Sequence, residues 1–226
     1  MFFKSFLQNT SINVVSGDKM MNTAVGPVWH AKQKAQGLIP EGLHGVDREA
    51  TWGQSHSAGW VYGPGSFCLV SHGPCVLGAF KSMRNSANEA KRLWLETGHL
   101  RGVVETVMMD GRADDQDLFA EFQRQRGMTL LTTARKNSDH TAKRQQMRKV
   151  LNRPKNRSLR KQRGQTVEPM QGLGKDIFTL ERCWMRGHWP NCWLFAAMGV
   201  AVQRHQVRAL KGQRSTWKIK QEVLGL

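Results

Sequence analysis

The 226 residues set 34 Lys and Arg against 17 Asp and Glu, a formal charge of +17 with a pI near 10.4. That excess calls for a polyanionic partner, because each phosphate neutralised releases condensed counterions. Hydrophobic residues make up 39%, enough for the core of one good-sized domain, while the longest apolar run, Cys192 to Val202, falls short of the roughly 20 residues of a membrane-spanning helix.

In chain order, the start MFFKSFLQNTSINVV has no sustained apolar region and no small-residue cleavage site, so no signal peptide is read there. Phe6 to Val15 holds Thr10, Ile12, Val14 and Val15, and these β-branched residues predict a strand that stops at Ser16-Gly17-Asp18. An irregular stretch follows to about Gly59. Trp60 to Ser71 and Val76 to Met83 read as two strands joined by a His72-Gly73-Pro74 hairpin. Asn85 to Gly98 reads as a helix capped by Asn85 or Ser86, with Gly98 at its C′ position. Val103 to Met109 reads as a buried strand ending at Asp110. Asp114 to Arg126 is a second helix closed by Gly127, with Asp114 and Asp115 as its cap, and Met128 to Thr133 is another strand.

Arg135 to Arg163 breaks the pattern, with twelve Lys or Arg, a single acid (Asp139) and almost no large apolar residue. It reads as a solvated basic insertion bordering the site, not as core. A core signature returns from Val167, where Trp184, Trp193, Leu194, Phe195, Met198 and Val202 predict a C-terminal helical layer over about 167–210. Strands and helices in this order predict an α/β fold: a mixed five-stranded sheet flanked by helices, forming one domain over 1–226. Cys68, Cys75, Cys183 and Cys192 form no CxxC, and no histidine pair has zinc-finger spacing, which is the pattern of free thiols in a reducing cytoplasm.

Two acids follow strand-like runs, Asp18 in NVVSGDKM and Asp110 in TVMMDGRADD. A third, Glu168, opens TVEPMQGLGKD with Pro169 behind it, which suits the first turn of a helix. Aspartate after a strand is also an ordinary turn or cap residue. Three carboxylates converging from separate elements, however, make an oxygen-rich site that suits Mg²⁺ or Mn²⁺.

Three segments carry a resemblance to a family: GPVWHAKQKAQGLIPEGLHGVDREATWGQSHSAGWVYG, VMMDGRADDQDLFAEFQRQRG and QRGQTVEPMQGLGKDIFTLERCWMRG. The chain resembles the DDE transposases of bacterial insertion sequences, whose catalytic domain has a ribonuclease H-like fold. The resemblance implies Asp18, Asp110 and Glu168 as catalytic ligands of two Mg²⁺ or Mn²⁺ ions. Arg163, Arg160 and Lys175 would contact DNA. Lys175 stands seven residues after Glu168, as in the family's C-terminal signature of Tyr, Arg, Glu and Lys. Arg163 lies one residue further from the glutamate than is usual, and Arg160 replaces the tyrosine. Asp47 is the runner-up for the first ligand, but its LIPEGLHGV approach makes a poor central strand, which favours Asp18. His30 is read as packed beside Trp29. The implied activity is metal-dependent cleavage and joining of DNA at element ends, by a dimer on DNA. Two other readings stay open. One is a truncated DNA-binding remnant, since no end-reading helix-turn-helix precedes the first strand. The other is a non-transposing nuclease of the same fold.

Overall fold

The computed structural model describes residues 2–55, 58–134, 141–216 and Ile219. Its strands are β1 (Val14–Met21), β2 (Thr51–Ser55), β3 (Gly59–Ser71), β4 (Leu77–Arg84), β5 (Thr106–Met108) and β6 (Thr129–Leu131). Its helices are α1 (Phe2–Thr10), α2 (Ala31–Ala35), α3 (Glu89–Thr97), α4 (Gln116–Glu121), α5 (Ala142–Leu151), α6 (Pro154–Gln162), α7 (Gly164–Phe178) and α8 (His188–Lys211).

The sheet is mixed. β3 runs antiparallel to both β1 and β4, while β1, β5 and β6 are parallel neighbours. This gives the ribonuclease H-like order β4-β3-β1-β5-β6. A sixth strand, β2, pairs antiparallel with the early part of β3. β2 falls in the stretch expected to be irregular up to about Gly59. Side-chain alternation divides the core between the two faces of the sheet. Val15, Phe67 and Leu69 join the cluster under α1, α3 and α5, and Met20, Cys68 and Val70 join the cluster under α7 and α8.

The first element departs from expectation. Phe2–Thr10 is a helix, and the strand begins at Val14. Phe3, Phe6 and Leu7 stand at helical spacing and are buried together, and Thr10 turns its hydroxyl back to the Phe6 carbonyl at 2.8 Å. Packing of this apolar face outweighs β-branched propensity. Strand β1 then runs through Gly17 and Asp18, which looked like a stop. A Cβ at Gly17 would lie 2.5 Å from Leu93 Cδ1, so the glycine is there to let α3 close on the sheet.

Helix α3 starts later than expected. Its cap is Asn88, whose side chain accepts from Ala90 N at 2.8 Å and Lys91 N at 3.2 Å. Asn85 is instead buried and donates to the Asn22 and Val61 carbonyls. Gly98 has φ −58° and continues into a 3-10 turn, so it is not a left-handed C′ residue. Asp115 caps α4. Asp114 does not cap it but pairs with Arg144.

The basic segment is also corrected. Residues 135–140, including Asp139, lie outside the described residues. The rest forms α5 and α6 and ends at Arg163, directly before α7. Met147 and Leu151 of α5 are fully buried in the main core, and the Arg144–Asp114 ion pair is buried beside them, so α5 is a core element. Helix α6 buries no residue and is the solvated part.

His72, in the β3–β4 hairpin, is packed against Ser16 Oγ at 2.7 Å and Thr166 Oγ1 at 3.4 Å. Burial pulls its pKa down from 6.5 to about 4. The folded state therefore favours neutral His72. Its contribution to stability is complete above pH 6.5 and is lost as pH falls towards 4. Stability measured by denaturant titration should fall by about 2–3 kcal/mol more between pH 7 and 4 in the wild type than in His72→Gln. Equal pH slopes would remove His72 from the account.

Candidate active site

Parallel pairing sets the site. Ser16 of β1 stands opposite Met108 of β5, so two residues further on Asp18 and Asp110 come level at the same end of the sheet. Asp18 lies within β1, and Asp110 lies just past β5, where its side chain caps a 3-10 turn by accepting from Arg112 N at 3.0 Å. The Thr132 hydroxyl, from the end of β6, donates to the Asp110 carbonyl at 2.5 Å and fixes that turn.

A third carboxylate joins them, and it is Glu89. Ligand-capable oxygens of Asp18, Glu89 and Asp110 all lie within 4.8 Å of one another. Glu89 is the first residue of α3 and is buried. Lys19 Nζ at 2.8 Å and Arg112 Nη1 at 2.5 Å both sit on the same Glu89 oxygen, Oε1. Arg112 also donates to the Gln54 carbonyl at 2.6 Å, tying β2 to the site. The sequence reading missed Glu89. An acid in the first turn of a helix reads as a partner for the helix dipole, and nothing local says that this turn meets two strand ends.

Glu168 lies apart from that trio. It lines, with Asp18, Glu89, Asp110, Arg112, Gln171 and Lys175, a cleft of about 410 Å³. It is exposed and does not belong to the group within 4.8 Å. Helix α7 starts at Gly164, so Pro169 falls inside the helix and Glu168 sits in its second turn. Its carboxylate bends back along its own helix: a Cβ at Gly164 would lie 3.1 Å from Glu168 Oε1. Lys175 is two turns further on and pairs at the surface with Glu181 at 3.4 Å.

The expected phosphate contacts divide. Arg163 Nη1 reaches Asp18 Oδ2 at 3.2 Å, at the edge of the cleft. Arg160 is turned away from it. Its guanidinium donates to the Thr132 and Leu151 carbonyls, both at 3.1 Å, which makes it a brace between β6, α5 and α6.

Asp47 is elsewhere. Its Oδ1 accepts from Glu49 N and Ala50 N, its Oδ2 accepts from Gly187 N at 2.9 Å, and Tyr62 donates to its carbonyl at 2.5 Å. It anchors a small cluster of Ala24, Trp29, Ala50 and Tyr62. Trp29 and Trp52 complete it by donating to the Leu38 and Trp29 carbonyls. His30 is exposed ahead of α2 and is not packed.

Electrostatics mark Asp18. Burial raises its pKa to about 6, Arg163 opposes the shift, and Asp110 and Glu89 add to it. Burial is the main cause, and the three carboxylates already face Lys19, Arg112 and Arg163, so a cation bound at Asp18 would relieve its desolvation. The donor set is hard oxygen, so Mg²⁺ or Mn²⁺ fits its chemistry. Cys68 pairs across from Asp18 in β3, and burial pushes its thiol well up, so it offers no nucleophile. All four cysteines are free. No helix among the described residues is long and apolar enough to cross a membrane.

No protein-family model matches the sequence, and no curated protein matches it. Among solved structures, the chain is similar to a piggyBac transposase in a cryo-EM synaptic complex with hairpin DNA, at 11% identity and a TM-score of 0.49. That similarity covers 84% of this chain and 45% of the other, so the chain spans less than half the length of that transposase.

Proposed function

We propose that the chain is a transposase that performs metal-dependent phosphoryl transfer on DNA, as the DDE motif resemblance implies. One observation carries this reading. Asp18 and Asp110 converge from neighbouring parallel strands, with Glu89 within 4.8 Å, in a chain of formal charge +17. Asp18, Asp110 and Glu168 are the proposed catalytic acids, and Glu89 joins them. Two Mg²⁺ or Mn²⁺ ions bound there supply Lewis acidity at the attacking and leaving oxygens.

The protein's own residues do the rest. Lys19 and Arg112 hold Glu89 in place, and the 3-10 turn after β5 holds Asp110, so the carboxylates need little reorganisation. Arg163 and Lys175 line the approach. The exposed Lys175–Glu181 pair costs little to exchange for phosphate, whereas Arg163 would turn to phosphate once a bound cation takes its place beside Asp18. Positioning the strand between them is most of the catalytic task. Two element ends call for a dimer on DNA, and this activity suits the bacterial cytoplasm.

The test uses a duplex pre-cut to expose a 3′ hydroxyl, with Mn²⁺ or Mg²⁺ added. Wild type should join strands only with metal present. Glu168→Gln should abolish joining and leave DNA affinity within about two-fold, because Lys and Arg supply that affinity. Binding should also weaken steeply with salt, by about 10³-fold between 50 and 200 mM for six phosphate contacts.

A second reading has its own observation. Glu168 stands outside the close trio, and Arg160 replaces the family's tyrosine and is spent on carbonyls. Both favour a chain that grips DNA without cutting it. Tight, salt-sensitive binding with no metal-dependent joining would select that remnant.

A further inference from the structure

Helix α8 packs its buried face against the sheet through Phe195, Met198, Gly199, Val202 and Gln206. Its opposite face is bare. Trp189 is 68% exposed, Trp193 64% and Val200 64%, at helical steps along one line. Just before the helix, Trp184 is 54% exposed and Met185 41%. These rings are held in place. Trp189 and Trp193 meet edge to face at 5.9 Å, and Trp184 Nε1 donates to Thr179 Oγ1 at 3.0 Å.

The same line continues into Arg204, Arg208 and Lys211, and α8 has no acidic residue in its 24 positions. Its C-terminal end opens on a cleft of about 530 Å³ lined by His205, Arg208, Lys211 and Arg214. Cations near a helix C-terminus complement its dipole, but that effect does not account for an aromatic row at the other end.

We infer that this face binds a DNA strand with unpaired bases, which stack on Trp184, Trp189 and Trp193 while the backbone runs along the basic half of α8. Charge selects this occupant. A second copy of the face brings no acid to meet its cations, whereas a nucleic-acid strand offers flat bases joined by phosphates. Pre-set rings lose little entropy on stacking. From Trp189 to Arg208 the helix extends about 28 Å, room for several nucleotides. The inference rests on DNA being the partner, not on the catalytic assignment.

The experiment follows intrinsic tryptophan fluorescence as a 12-nucleotide oligo-dT is added, without divalent metal, and repeats the titration with a duplex of equal length. Wild type should show quenching on the single strand. The Trp189→Ala/Trp193→Ala chain should bind it about 10- to 100-fold more weakly and bind the duplex within about two-fold of wild type. Both rings are exposed, so its thermal melt should match wild type. Single-strand affinity unchanged within two-fold would overturn the inference. So would a change of sedimentation mass from dimer to monomer with DNA binding intact, which would make the face a subunit interface. Because metal is absent, loss of strand joining elsewhere leaves this result standing.

Discussion

Replacing Asp110 with asparagine is expected to lower metal-dependent strand joining by at least about 10³-fold, or roughly 4 kcal/mol of barrier, while leaving the fold intact. The asparagine keeps an oxygen to accept from Arg112 N, so the 3-10 turn survives. It removes only the negative charge that the site presents next to Asp18. The informative partner is Glu89→Gln. Glu89 balances Lys19 and Arg112 in a buried setting, and a neutral amide leaves the deeply buried Lys19 ammonium without its counter-charge. Its variant should lose joining and also melt lower, by about 3 kcal/mol or more of stability. Glu168→Gln should lose joining without melting lower, because Glu168 is exposed. Joining assays beside thermal melts of the three variants read this out. Full joining by Asp110→Asn would remove the catalytic reading, and full joining by Glu89→Gln would confine Glu89 to holding Lys19 and Arg112.

The second large effect is on stability, far from the cleft. Asp114→Ala should cost about 3–5 kcal/mol, because it leaves the Arg144 guanidinium buried and unpaired. The side chains of this pair are 5% and 0% exposed, and Met147 and Leu151 of the same helix fill the core beside them. Replacing both partners, as Asp114→Leu with Arg144→Met, should recover most of the loss, since well-packed apolar residues can substitute for a buried ion pair. Equilibrium denaturation of the single and double variants decides it. A loss under about 1 kcal/mol for Asp114→Ala would mean that α5 is the detachable basic arm its composition suggested. The contrast with the exposed Lys143–Asp117 pair is instructive: at 66% exposure on both sides it should be worth less than about 1 kcal/mol.

Much of the layout could be read from residue order. Apolar runs bounded by turn residues place β3, β4 and β6 close to their observed positions, and Gly127, with φ +66°, closes the π turn that continues α4. Asp110 stood out because it follows an apolar run at once. The misreadings share one cause. Phe2–Thr10 became a helix, and Gly17 stayed inside β1, because of what packs on them from elsewhere in the chain. Local propensity carries no record of those neighbours.

Taken alone, the residues determined a basic chain suited to a polyanion, a mixed sheet with helices, and two acids that follow strand-like runs. Those are properties of charge count and of period-two and period-3.6 patterning, which are local. Only the tertiary structure decided which acids meet. The parallel register of β1 and β5 brings Asp18 level with Asp110, and the close approach over Gly17 carries Glu89 to them. The early start of α7 at Gly164 turns Glu168 back along its own helix. Carboxylates tens of residues apart interact through a few ångströms of space, and that distance is set by packing, which no single stretch of sequence contains.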